Sequence, residues 1–433
     1  MDYQIIGVMT GNSMDGVDVV LTAFKNGTMS DIAGHFKEYP KSLHEGFKAL
    51  RRMILGTGQM PALTMEALKK ETLFKKTHDA YISLVAETIN ELLEQNGFTP
   101  ADITAIGFHG QTLDHYPPSV AGDDKNVYTL QVGSGQRLSD LTGIPVIYDF
   151  RSDDMMNGGE GAPLAPIHNK NIAASLGLSA AVFFNAGNTS NVAVVFGDDV
   201  CGWDAGPFNE FPDKIVRQNT NDVCDFDGKY GMRGIVDMNG VRTLFETAAV
   251  TADGQNFLQM PPPKSGDPSW YRLPASYLEA QDFESNLRTA EFFSAYVAAH
   301  TLKFIPETID MPSQFVLFGG GWLNPLCRQD FEDILTGRAA VLPEHESDFA
   351  AVRARFKEAP RFKILTLSKY MEARVLADLA RFYLDGRPWF SKPVRAGHKP
   401  VVLGVRCVPG GGAQDDQINR AAKGWQKKAA PSE

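Results

Sequence analysis

A chain of 433 residues has room for two domains or three. Hydrophobic residues at 43% and charged residues at 22% exclude disorder and fibrous structure as global descriptions. The formal net charge of −10 opposes a phosphate backbone, so nucleic acid is not an expected partner, while a local pocket for a small phosphate stays open.

The first element is a β-rich run, Tyr3–Met9. The turn segment Thr10-Gly11-Asn12-Ser13-Met14-Asp15-Gly16 follows, then a second run at 17–24; together they predict a hairpin. Stretches 42–55 and 65–95 read as helices. The second has Leu84, Val85, Ile89, Leu92 and Leu93 at three- and four-residue spacing and ends at Asn96-Gly97. A strand at 105–108 runs into His109-Gly110-Gln111-Thr112. A strand at 128–132, a helix at 134–142 and a strand at 145–150 come next. Residues 151–163 are rich in Asp, Gly and Asn and read as a loop, a candidate hinge.

Strand 180–185, turn Gly187-Asn188-Thr189-Ser190 and strand 191–196 repeat the first hairpin's pattern. Each has a Gly-Asn-hydroxyl tip between β-rich runs, which predicts two related halves of similar size. Helical stretches around 282–304, a strand at 315–318 entering Gly319-Gly320-Gly321, a helix at about 368–384 and a last strand at 401–405 complete the pattern. The tail after Ala413 is polar and expected to be partly disordered. Strands alternate with helices throughout, which is the α/β class.

Cys201, Cys224, Cys327 and Cys407 form no C-x-x-C pair and no metal-ligand spacing, so free thiols in a reducing compartment are expected. Met1-Asp2-Tyr3-Gln4 does not read as a signal peptide, and no apolar run approaches the length of a membrane span; a cytoplasmic protein with no membrane partner is expected.

The chemistry concentrates at a few tips. Glycine lets backbone approach a phosphate closely, so Gly11-Asn12-Ser13 and Gly187-Asn188-Thr189 are candidate phosphate turns or ordinary hairpin tips. Asp15 and Asp18, just beyond the first tip, could hold Mg²⁺ between phosphates. Gly319-Gly320-Gly321 reads as a ligand turn or a plain tight turn. Asp204, in Gly202-Trp203-Asp204-Ala205-Gly206-Pro207, is expected in a stiff loop beside a strand end, as a general base or a turn acceptor. Asp149, Asp153 and Asp154 around Arg151 are rival acids. His109 could bind substrate or be structural, and Gln111 and Thr112 suit a sugar's hydroxyls. No Walker A sequence, dinucleotide fingerprint or Gly-x-Ser-x-Gly elbow occurs.

These residues resemble the anhydro-N-acetylmuramic acid kinase family, relatives of levoglucosan kinase, along nearly the whole chain. Gly7-Val8-Met9-Thr10-Gly11-Asn12-Ser13-Met14-Asp15-Gly16-Val17-Asp18 is similar to G-x-M-S-G-T-S-[LM]-D-G-V-D. Phe108-His109-Gly110-Gln111-Thr112 is similar to S-H-G-Q-T. Asp149-Phe150-Arg151, Asp154 and Gly158-Gly159-Glu160-Gly161-Ala162-Pro163-Leu164 are similar to D-F-R-x-x-D-x-A-x-G-G-x-G-A-P-L. Trp203-Asp204-Ala205-Gly206-Pro207-Phe208-Asn209 is similar to F-D-T-G-P-x-N. Asp225-Phe226-Asp227-Gly228, Gly234-Ile235-Val236-Asp237, Pro261-Pro262-Pro263-Lys264-Ser265, Gly319-Gly320-Gly321 with Asn324, and Glu372-Ala373 follow in family order.

The resemblance implies a two-domain actin-like, sugar kinase (ribonuclease H-like) fold around a nucleotide cleft. The domains are expected at 1–140 with 391–433, and at 141–390. It implies ATP and Mg²⁺ and a homodimer. The implied reaction opens the 1,6-anhydro bridge of 1,6-anhydro-N-acetylmuramic acid with water while ATP phosphorylates O6, in cell-wall recycling. Asp204 is then the base. Gly11, Asn12, Ser13, Met14, Asp15, Gly16, Val17, Asp18, Gly187, Asn188, Gly319, Gly320, Gly321 and Asn324 meet the nucleotide, with Asp15 and Asp18 at the metal. His109, Gln111, Thr112, Arg151, Asp154, Gly161, Ala162 and Pro163 meet the sugar.

The sequence departs from the pattern at four places. Asn12 stands for Thr, Asn188 for Gly and Ala205 for Thr, and Gly266-Asp267-Pro268 replaces T-G-R-E. Two alternatives follow: a kinase for another anhydro sugar such as levoglucosan, or an inactive sugar- or nucleotide-binding regulator.

Overall fold

The computed structural model describes residues 2–11, 14–26, 28–55, 65–118, 127–251, 253–266, 268–365, 370–389, 399–412 and 420. The polar tail expected to be disordered lies outside them, apart from Arg420. The chain divides into two compact units. The first comprises Met1–His168, Lys369–Phe390 and Val394–Glu433; the second comprises Asn169–Ser368 and Ser391–Pro393.

The first unit holds β1 (Tyr3–Met9), β2 (Gly16–Lys25), β3 (Thr28–Glu38), β4 (Ala105–Phe108), β5 (Gln111–Tyr116), β6 (Tyr128–Val132) and β7 (Val146–Tyr148). The second holds β8 (Ala180–Ala186), β9 (Thr189–Phe196), β10 (Asp199–Pro207), β11 (Gln314–Phe318) and β12 (Arg361–Ile364). A final strand, β13 (Val405–Cys407), returns to the first unit.

The first sheet has the order β13-β7-β4-β1-β2-β3, and the second β10-β9-β8-β11-β12. In each, three antiparallel strands are followed by two parallel ones: β3-β2-β1-β4-β7 and β10-β9-β8-β11-β12. The two halves therefore share one topology, as expected of an actin-like, ribonuclease H-like fold, and the hairpin tips at Gly11 and Gly187 occupy the same place in each.

Burial explains why these runs form strands. Ile5, Ile6 and Val8 of β1 and Val17, Val19, Val20 and Leu21 of β2 are fully buried β-branched or leucine side chains. The helix Thr72–Asn96 buries Tyr81, Ile82, Val85, Ile89 and Leu92 along one stripe within the same core as β2. On the sheet's other face the helix Met371–Leu384 packs on β1 and β4. Gly7 and Gly107 are register partners there. A Cβ would lie 1.8 Å from the Ala373 carbonyl at Gly7 and 2.1 Å from the Leu376 carbonyl at Gly107, so only glycine admits the helix backbone.

Several elements differ from the sequence expectation. The 65–95 helix is two, Met65–Lys70 and Thr72–Asn96, because Glu71 is extended. Its neighbours Lys69 and Lys70 offer no apolar side chain to hold one register. Residues 151–163 are not all loop: Phe150, Ser152 and Met155 are buried and fix a helix, Phe150–Met156, which also shortens the strand expected at 145–150 to β7. The last strand lies at 405–407 rather than 401–405, since Gly404 at φ 114° interrupts the run. β3, β5, β10 and β12 were not expected. The division falls at His168 rather than near 140, because β7 pairs with β4 in the first sheet.

Candidate functional site

In the first unit, the β1–β2 tip is held by groups from outside the hairpin. The Met14 N–H donates to the Gly11 carbonyl at 3.1 Å. Gln111 Nε2 donates to the same carbonyl at 3.1 Å, and Tyr39 OH donates to Gln111 Oε1 at 2.8 Å. Thr10 Oγ1 donates to the Gly110 carbonyl at 3.0 Å, which ties the tip to the strand end after β4. Asn12 and Ser13 lie outside the described residues. Gly16 and Val17 are buried in β2, so Val17 can offer a ligand only its backbone. Asp15 is exposed and Asp18 half-buried.

Of the expected sugar-side residues, His109, Arg151, Gly161 and Asp154 are bonded in one chain in the same unit. Arg151 Nε donates to His109 Nε2 at 2.9 Å, and His109 Nδ1 donates to the Gly110 carbonyl at 2.7 Å. Arg151 Nη1 donates to the Gly161 carbonyl at 2.8 Å, and the Gly161 N–H donates to Asp154 Oδ2 at 2.7 Å. Burial first, then the Arg151 charge, pushes the His109 pKa down to about 3, so its ring is a neutral acceptor that aims the guanidinium. The Ala162–Pro163 bond is cis. Thr112 Oγ1 accepts from Gln131 Nε2 at 3.2 Å. The rival acids Asp149 and Asp153 are engaged elsewhere: both meet Arg420, Asp149 also accepts from Ser152, and Asp153 from the Gly404 N–H.

In the second unit, three loops meet. The Gly187 and Asn188 carbonyls accept from the Asn209 and Phe208 N–H groups at 3.0 and 2.8 Å. Asn209 Nδ2 donates to the Ala186 carbonyl at 3.2 Å. Gly319 leaves β11 at φ 92°, where a Cβ would lie 2.6 Å from Asn185 Oδ1. A Cβ on Gly320 would meet only Asn209 Nδ2, at 4.0 Å, so backbone here stands open to a ligand. Asn324 stands apart from this group in role: it caps the helix Pro325–Thr336 through the Leu326 N–H, and its amide donates to Glu291 at 2.7 Å.

Asp204 sits within β10, not in a loop, at a register shift between Asp204 and Gly206 that leaves Ala205 bulged. A bulge bends the strand and re-aims its side chains. Asp204 is 9% exposed, and its Oδ2 accepts from the Gly266 N–H at 2.8 Å and Ser265 Oγ at 3.1 Å. The Asp204 N–H donates to the Lys264 carbonyl at 3.2 Å, so segment 264–266 wraps the acid. Asn209, Lys264 and Ser265 were not singled out from the sequence as site residues. Their only signal is that each falls within a recognised motif.

The model of the anhydro-N-acetylmuramic acid kinase family matches residues 3–405. The chain belongs to the anhydro-N-acetylmuramic acid kinase family. A relative of that name from Methylorubrum populi is 30% identical over 414 residues, covering 94% of this chain and 99% of its own. One from Brucella canis is 32% identical over 412 residues, at 94% and 99% coverage. A solved ROK family glucokinase from Streptomyces griseus is similar over 87% of this chain and 99% of its own, at 14% identity and TM-score 0.37.

Membership makes the chain a sugar kinase, a phosphotransferase with a sugar and ATP as substrates. The four cysteines are free. Among the described residues, no helix is long and apolar enough to cross a membrane.

Residues suited to the nucleotide and its metal are present. The open backbone at Gly320 and the exposed turn at Asn188 fit a flat ligand and its phosphates. Among the described residues no three acidic, His or Cys side chains form a metal-holding group. Asp15 is exposed and Asp18 half-buried beside the first tip, and Mg²⁺ takes one or two carboxylates and fills its shell with phosphate oxygens and water.

Proposed function

We propose that this kinase opens the 1,6-anhydro bridge of 1,6-anhydro-N-acetylmuramic acid with water and transfers the ATP γ-phosphoryl group to O6. The product is N-acetylmuramic acid 6-phosphate, made in the cytoplasm during cell-wall recycling by a homodimer. Asp204 takes a proton from the attacking water as its oxygen bonds to the anomeric carbon. The C1–O6 bond breaks, and the departing oxygen attacks the γ-phosphorus, so no acid is required to protonate it. One carboxylate thus serves where an inverting glycosidase needs two. The observation that carries this reading is the held carboxylate of Asp204: two donors fix Oδ2 on a strand bulge that aims the group.

The neighbouring residues take supporting roles in this reading. The β1–β2 tip and the Gly187–Asn188 turn supply backbone to phosphates, and the Gly319–Gly321 loop supplies it to the nucleotide. Asp15 and Asp18 would hold Mg²⁺, which neutralises phosphate charge when bound. Asn324 supports that loop as a helix cap. His109 holds Arg151, and Arg151 with the Gly161–Pro163 turn and Gln111 would receive the sugar.

Purified protein with ATP, Mg²⁺ and the anhydro sugar should yield the 6-phosphate and ADP. Asp204→Asn should lower kcat by roughly 10²–10⁴-fold, the range of general base catalysis. A wild-type enzyme with no turnover on this sugar defeats the assignment. A second reading, levoglucosan or another anhydro sugar, is favoured by Ala205 and by Gly266, which stand beside the base where the family carries larger polar residues. Turnover across a panel of anhydro sugars separates the two readings. Ligand binding without ADP release from any sugar would leave only a regulator.

A further inference from the structure

Lys264 is 1% exposed, and a lysine is almost never fully buried without a charge partner. Its Nζ donates to the Phe257 carbonyl at 3.0 Å and lies 4.6 Å and 5.0 Å from the ring centroids of Phe257 and Phe304. A carbonyl and two ring faces solvate an ammonium but do not neutralise it. Its own carbonyl, and the next two residues, bind the Asp204 backbone and carboxylate.

Three elements face the ammonium. β10 contributes Asp204, whose charge favours the protonated form. The turn Thr301–Phe304 contributes Lys303, whose charge opposes it and which is itself paired with Asp348 at 2.8 Å and bonded to His300 at 3.2 Å. The turn Phe257–Gln259 contributes no titratable side chain. Burial, the largest influence, brings the Lys264 pKa down to about 7.

We propose that Lys264 is a positioning residue for Asp204: its enclosed ammonium keeps the carboxylate ionised and able to take the proton from water. This rests on the reading of Asp204 as the base. Coulomb's law sets the signs. Without the ammonium, the carboxylate holds its proton to higher pH; without the carboxylate, the ammonium loses its proton at lower pH.

The full-length enzyme tests both directions. In protein labelled with ¹³C at lysine Cε, the resonance lost in Lys264→Met should titrate near neutral pH in wild type. In Asp204→Asn its midpoint should fall by roughly one pH unit, the size of effect a nearby charge exerts. In Lys264→Met the acid limb of the kcat profile should move up by a similar amount, with KM for the sugar little changed.

An identical lysine midpoint in wild type and Asp204→Asn overturns the proposal. So does an unshifted acid limb in Lys264→Met when Asp204→Asn is inactive. Should Lys264→Met fail to fold, a wild-type lysine resonance that titrates near neutral pH, followed into Asp204→Asn, still decides. Retained turnover in Asp204→Asn is a different result: it removes the base reading itself, and this role with it.

Discussion

His109 shows how one buried side chain couples the site to stability. Its ring accepts from Arg151 and donates to the Gly110 carbonyl, and burial holds its pKa at about 3. A histidine in the unfolded chain titrates near 6.5. Above that pH neither state binds the proton and nothing is lost. Between 6.5 and 3 only the unfolded chain takes it up, so stability falls with pH by about 1.4 kcal/mol per unit. His109→Gln offers Arg151 an acceptor and Gly110 a donor without titrating. Denaturant unfolding followed from pH 7 to pH 4 should therefore show a shallower acid loss in the variant, by about that slope. Parallel curves for the two proteins would acquit His109 of the acid sensitivity.

At the level of elements, the contact between β1, β4 and the helix Met371–Leu384 depends on the paired glycines. Gly107→Ala places a methyl carbon 2.1 Å from the Leu376 carbonyl, where a backbone and not a flexible side chain must yield. Overpacking of this kind costs about 1–3 kcal/mol, and a backbone obstacle puts the expectation at the upper end. A fall in Tm with an unchanged far-UV spectrum would record it; a Tm equal to wild type would show that the helix is not packed as described. Both hairpins and the long helices were legible in the sequence because local period reports burial. β3 was not: its residues alternate between exposed and half-buried, so Thr28–Glu38 carries polar residues where a core strand carries valine. β10 was hidden by Gly202, Gly206 and Pro207, which read as loop although pairing with β9 runs through them. The break at Glu71 leaves no glycine or proline to announce it.

At the scale of the whole molecule, the motifs showed which residues carry chemistry but not which of them touch. Asp204 and its donors Ser265 and Gly266 are about sixty positions apart, and His109 and Arg151 about forty. Nothing in local composition encodes such a contact; the fold alone makes it. The same long-range logic separates the two units. The second unit is almost one continuous stretch, and all five strands of its sheet lie between Ala180 and Ile364. The first is interrupted: its β13 and the helix covering Gly7 and Gly107 arrive from the far end of the chain. A fragment of residues 166–368 therefore contains every strand of its sheet and the buried helix Phe283–His300, and should unfold in one cooperative transition. A fragment of residues 1–168 leaves Gly7 and Gly107 facing water, with no side chains of their own to close that face, and β7 without its β13 neighbour. It should lack a cooperative transition until a chain carrying residues 369–433 is supplied. Thermal melts of the two fragments, alone and with the C-terminal piece added, decide this. Cooperative folding of 1–168 by itself would mean that the helix Met371–Leu384 decorates the sheet rather than completes it.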